Sequence, residues 1–227
     1  MSQDYHQTRF TPDPRREVLW QTLCRQVFER WLTPDACVLD LGAGYGHFIN
    51  NVRARRRIAV DHWAGMLRYI HPGVEGLVGD VGDLDRIEDG VVDFALASNI
   101  FEHLVQDRLA QVLRELARTL APSGRLAVLQ PNYAYAYREY FDDFTHVSVW
   151  SHVSLPDFLE ANGFDVLETH PRFLPLTLKS RLPVSRLLIK AYLRSPLKPM
   201  GKQMLVVARR RGGSGASGAE EAPVQSS

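Results

Sequence analysis

The residues best suited to chemistry fall into two groups. The first begins at Val38-Leu39-Asp40-Leu41-Gly42-Ala43-Gly44-Tyr45-Gly46, an apolar run that enters a glycine-rich turn. A strand followed by such a turn lets backbone N–H groups approach a nucleotide-like ligand. Asp40, Gly42, Ala43, Gly44 and Gly46 are therefore expected to line a cofactor site. Asp61 and His62 end a second apolar run, and a carboxylate there can accept two hydrogen bonds from ribose hydroxyls or cap a helix. Asp80-Val81 follow a third run, where an acid and an apolar side chain suit an adenine amino group and ring face, or a solvated turn. Asn99 adds a polar group after a fourth.

The second group lies in Tyr133 to Trp150, where Tyr137, Tyr140, Asp142, Asp143, His146 and Trp150 suit a polar, aromatic acceptor pocket. His146 is the expected proton acceptor, since an ordinary imidazole pKa of about 6.5 suits proton transfer near neutrality. Asp142 or Asp143 would orient its ring. His103, next to Glu102 near a helix start, reads as structural, and His152 has no distinguishing context. No metal-ligand spacing stands out, so no residue is assigned to a metal.

These groups need a scaffold. Apolar runs at Cys37 to Leu41, Ile58 to Asp61, Gly76 to Val78, Val92 to Ala97, Arg125 to Gln130, Asp165 to Glu168 and Met204 to Ala208 alternate with amphipathic stretches, the pattern of a parallel α/β sheet with crossover helices. Helices are expected over Arg15 to Trp31, Gly46 to Arg53 and Asp107 to Leu120, the last stopped by Pro122, Ser123 and Gly124. Another starts at Ser154 to Asp157 and ends at Gly163. With 227 residues, 45% of them hydrophobic, the chain fits one domain over residues 1–211. The Gly/Ser/Ala-rich stretch 212–227 reads as a disordered tail.

The net charge of +1 conceals an asymmetry. Residues 1–168 carry 16 arginines against 24 acids, whereas residues 169–211 hold 11 cations and no acid. A basic insertion is thus expected at about 170–202. Its stretch Leu182 to Leu193 has the form of an interfacial amphipathic helix, so region 172–202 is a candidate for peripheral membrane contact. The acidic remainder argues against nucleic acid. Two cysteines, no long apolar run and no signal-peptide pattern point to the cytoplasm, peripheral on the inner face of the membrane if the basic region docks there.

Taken together, Asp40 to Gly46, Val60-Asp61, Gly79-Asp80, Phe94 to Leu104 and Leu120 to Leu126 resemble the class I S-adenosylmethionine-dependent methyltransferases over roughly residues 35–131. The resemblance implies a doubly wound, Rossmann-like seven-stranded sheet with a reversed last strand. It implies S-adenosylmethionine held by the glycine loop, Asp61 and the Asp80-Val81 pair. His47 stands where a dinucleotide fingerprint would need glycine, which counts against the alternative of a nicotinamide-dependent sugar oxidoreductase. Tyr140 to Val147, Arg172 to Pro175 and Gly201 to Met204 resemble bacterial methyltransferases of polysaccharide and glycan assembly. That resemblance implies O-methylation of a sugar or other small hydroxyl acceptor, on a free small molecule or a glycan. A non-catalytic cofactor-binding module that docks on a membrane or partner is the remaining alternative.

Overall fold

The computed structural model describes residues 13–176 and 185–212. The proposed tail beyond Gly212 and the first residues of the basic stretch, 182–184, lie outside the described residues. Seven strands form one sheet: β1 (Cys37–Leu41), β2 (Arg56–Asp61), β3 (Glu75–Val78), β4 (Val92–Ser98), β5 (Leu120–Pro131), β6 (Phe164–Pro175) and β7 (Gly201–Arg210). Their spatial order is β3-β2-β1-β4-β5-β7-β6, and β7 alone runs antiparallel to both neighbours. The chain order doubles back between β1 and β4, which opens a crevice at the carboxyl ends of those strands.

β1 is buried on both faces because successive side chains point to opposite sides. Leu39 and Leu41 join one core layer with Val60, Ala95, Val128 and Val206. Val38 joins the other with Ala59, Phe94, Leu96 and Leu205. The first layer is covered by α2 (Gln106–Thr119), whose Leu109, Val112, Leu113 and Leu116 fall on one face at helical spacing and are all fully buried. The second is covered by α1 (Pro14–Leu23), capped by the Asp13 side chain on the Arg15 N–H at 2.9 Å. A short helix, α3 (Tyr133–Ala136), follows β5, and α4 (Ser154–Ala161) leads into β6. The last helix, α5 (Arg186–Arg194), precedes β7 and contacts α1.

Three expectations need correction. No regular helix forms over Gly46 to Arg53; the chain makes consecutive turns there. The Asn51 side-chain amide occupies the His47 carbonyl at 2.9 Å, the acceptor a helix would use four residues on. The stretch Arg15 to Trp31 is not one α-helix either. After Leu23 the coil widens over Cys24–Phe28 and tightens over Glu29–Trp31, placing Phe28 against both Phe48 and Phe94. Finally, α2 stops at Thr119, ahead of Pro122, because Leu120 turns extended and pairs with Val92. Among the described residues, no helix is long and apolar enough to cross a membrane.

Truncating a fully buried leucine leaves a cavity as well as losing transfer energy. Leu113→Ala is expected to cost about 2–5 kcal/mol, read from the urea midpoint at constant slope.

Candidate active site

The crevice holds a cavity of about 390 Å³ lined from the ends of β1, β2 and β4 and the turns after them. Asp40, Gly42, Ala43, Gly44, Asp61, His62, Asp80, Val81 and Asn99 all line it. Gly46 does not line it directly.

The glycine turn folds as it does because the backbone must bend sharply over the end of β2. Gly42 and Ala43 donate to the Val60 carbonyl at 2.8 and 3.1 Å. At Gly42, φ is +71° and a Cβ would lie 2.0 Å from the Ile100 side chain, so neither backbone nor space admits another residue. Gly44 has φ of +52°, yet a Cβ there would meet no protein atom within 4 Å. Gly42 thus serves packing, and Gly44 leaves open space in the cavity wall.

Asp61 is 3% exposed and anchors this wall. Its Oδ2 accepts from the Gly44 N–H at 2.8 Å and its Oδ1 from the Trp63 N–H at 2.8 Å, with His62 Nδ1 at 3.3 Å. The carboxylate therefore caps the following turn while it lines the cavity. Asp80 accepts from the Gly82 N–H at 2.7 Å and from the Arg108 guanidinium. Burial opposes its ionisation, but those two donors together hold the carboxyl below its ordinary range. Asn99 has φ of 55°, the only positive value at a non-glycine position among the described residues. This is a strained backbone of the kind found at ligand sites.

Asp40 is 3% exposed, and burial pushes its carboxyl up to about 8; a backbone hydrogen bond from Ile49 opposes the rise and the charge of Asp61 adds to it. His47, where a dinucleotide fingerprint would need glycine, lines the cavity with Nδ1 3.6 Å from Glu17, and burial lowers its pKa. Arg16 and Trp20 also line it, which the sequence reading did not anticipate. The only sequence signal was a cation and a tryptophan within an otherwise ordinary leading helix.

At the other end the wall is Ile100, His103 and Leu104. His103 had read as structural, yet it reaches the cavity, whereas His146, Asp142 and Asp143 do not line it. His146 instead packs edge-on against His103, with ring centroids 4.9 Å apart, and against Tyr140 at 4.8 Å. Asp143 accepts from the Thr145 hydroxyl at 2.6 Å, and Thr145 Oγ1 lies 2.9 Å from His103 Nδ1. The acid thus acts on His103 through Thr145. Burial, and then the neighbouring His146, lower the His103 pKa and keep its ring neutral near pH 7.

A methyltransferase-domain family model matches residues 39–128, the stretch that builds this cavity. Over 194 residues the chain is 32% identical to a malonyl-[acyl-carrier protein] O-methyltransferase of Methylococcus capsulatus, covering 78% of this chain and 66% of that protein. The chain belongs to the class I S-adenosylmethionine-dependent methyltransferases. Its fold is shared by an S-adenosylmethionine-dependent methyltransferase of Archaeoglobus fulgidus, with TM-score 0.64 and 22% identity over 89% of this chain and 96% of the other. A second solved relative is the 1,6-didemethyltoxoflavin-N1-methyltransferase of Burkholderia thailandensis, seen with S-adenosylhomocysteine (TM-score 0.59, 21% identity, 92% and 84% coverage). The methyltransferase assignment displaces the nicotinamide alternative.

The residues fit that cofactor. Gly44 leaves open room in the wall, and Asp40, Asp61 and Asp80 all line the cavity, where they would face the cofactor's cationic, hydroxyl and amino groups. The cofactor itself supplies an electrophilic methyl on a sulfonium. The acid at Asp40 makes binding depend on pH. Below about 8 this carboxyl holds a proton in the free protein, and a cationic cofactor favours its loss. Affinity is expected to rise by up to about tenfold per pH unit on approaching pH 8 and then level off, with the slope flattened in Asp40→Asn. Calorimetric titration between pH 6 and 9 checks both. Gly44→Arg is expected to cost about 1–2 kcal/mol of stability, because φ at Gly44 is +52°, and to lose cofactor binding in the protein that still folds.

Proposed function

We propose that the protein methylates a hydroxyl group of a sugar or glycan, at the Ile100 to Leu104 end of the cofactor cavity. The observation that carries this reading is a set of exposed aromatics beside the histidine pair. Tyr137, Phe141 and Phe144 are 55%, 56% and 79% exposed on the segment that brings His146 against His103. Flat apolar rings suit the C–H faces of a sugar, and the adjoining Asp142 and Asp143 suit its hydroxyls. The other two segments behind the glycan resemblance support the same surface. Gly201 packs against Arg172, Lys202 pairs with Glu139, and the Arg172 guanidinium lies 4.1 Å over the Tyr135 ring.

In the reaction, an acceptor oxygen lone pair attacks the methyl carbon. The C–S electron pair returns to sulfur, and the hydroxyl proton is lost to the histidine end of the cavity. His103, neutral and oriented by Thr145, is the imidazole that lines this end, and His146 backs it. The protein's contribution is alignment and proton removal.

α5 supports a peripheral membrane location, where a lipid-linked glycan would be met. Leu187 and Leu188 are 76% and 50% exposed, beside Arg186, Lys190 and Arg194 on the same helix. The similarity to the Methylococcus protein favours a second acceptor, a carboxyl group carried on an acyl carrier protein, over an unrelated small molecule.

The test is incubation with labelled S-adenosylmethionine and separated glycan, lipid-linked glycan and acyl-carrier fractions. Label is expected in a glycan fraction as an alkali-stable ether; label only as an alkali-labile ester on a carrier would replace the sugar reading. His103→Ala and His146→Ala are each expected to keep cofactor affinity and lower turnover by about 10²-fold or more. Cofactor binding without transfer to any fraction would leave a non-catalytic module.

A further inference from the structure

Glu102 has no part in the cofactor site, and its position is costly. The side chain is fully buried, and neither carboxylate oxygen has a hydrogen-bond partner among the described residues. Buried carboxylates are ordinarily paired or bound to metal. Two imidazoles stand close to it: one ligand-capable atom from each of Glu102, His103 and His146 lies within 4.8 Å of the other two.

We propose that Glu102, His103 and His146 form a binding site for a divalent transition-metal cation at the acceptor end of the cavity. Two imidazoles and one carboxylate are the donor set of open catalytic zinc sites, which retain a position for water or substrate. Bonds of about 2.1 Å place ligand atoms about 3.4 Å apart, so modest side-chain rotation closes the observed spacing. The backbone already holds the two segments together. Val147 and Ser148 N–H groups donate to the Glu102 carbonyl at 2.9 and 3.1 Å.

The surroundings also set the ligand chemistry. Thr145 donates its hydroxyl proton to Asp143, so its oxygen accepts from His103 Nδ1–H at 2.9 Å, as does the Thr145 carbonyl at 3.2 Å. That arrangement turns Nδ1 of His103 toward Thr145, so a cation would be bound through Nε2. An outer carboxylate that fixes an imidazole in this way is a regular companion of metal-bound histidine. His146 lies 43 residues beyond the adjacent Glu102-His103 pair, which is why no spacing in the sequence revealed the set.

Because His103 lines the cavity, a cation on its ring adjoins the acceptor. There it would bind the acceptor oxygen; with His103 then a ligand and no longer the proton acceptor, that oxygen's proton would pass to water before the C–O bond forms and the C–S bond breaks. This role rests on the methyl-transfer reading; the binding site does not.

The test uses tag-free full-length protein, stripped with chelator and titrated with Co²⁺ in the absence of cofactor and acceptor. One equivalent is expected, with visible d–d absorption and displacement by Zn²⁺. Glu102→Gln and His146→Ala are each expected to weaken Co²⁺ binding by at least tenfold while cofactor affinity stays within twofold. If Glu102→Gln fails to bind cofactor, His146→Ala decides alone. Wild-type protein that binds no Co²⁺, or binding undiminished in the folded variants, overturns the proposal. Metal binding without transfer to any glycan would instead refute only the acceptor reading.

Discussion

The structure depends on a constraint at the end of β2, where one buried carboxylate holds two turns at once. Asp61 receives the Gly44 N–H from the turn after β1 and the Trp63 N–H from the turn after β2. These two backbone donors could not be left dry without cost, and the carboxylate could not be buried without them. Their mutual satisfaction fixes the mouth of the crevice. Parallel pairing of β1 with β2 and β4 then places the lining residues of those strand ends relative to that point.

From this anchor the cavity runs between two electrostatic environments. One end gathers acids: Asp40 is kept protonated near neutrality by burial, while Asp80 is kept ionised by Arg108 and the Gly82 N–H. Like charges need not coexist there before a cationic ligand arrives. The opposite end gathers imidazoles over a buried glutamate, with Asp143 acting through Thr145. Strand ends supply the acids, and a long excursion between β5 and α4 brings His146 to the imidazole end.

That excursion is also where the surface departs from an ordinary globular exterior. Phe141 and Phe144 stay exposed while Tyr140 and Trp150 on the same segment are buried, each holding a backbone contact: Tyr140 Oη donates to the Ser148 carbonyl at 2.8 Å and Trp150 Nε1 to Phe101 at 3.2 Å. Buried aromatics fix the segment, and exposed ones remain available to a ligand.

The sequence by itself determined the sheet and most of the cavity wall. Strand identity follows from apolar runs such as Cys37 to Leu41, buried on both faces, and α2 from leucines at helical spacing; both signals are local and survive without knowledge of neighbours. Asp40, Gly44, Asp61 and Asp80 were legible because strand ends in a doubly wound sheet converge by topology alone. Tertiary structure decided what depends on side chains meeting across long separations. It carried Arg16 and Trp20 over the cavity, ended α2 through the pairing of Leu120 with Val92, and unwound the expected helix after Gly46 through Asn51. It also exchanged the parts of two histidines, bringing His103 to the wall and setting His146 behind it. Periodicity records which face of an element is buried. Which distant residue shares that burial is fixed only when the chain has closed on itself.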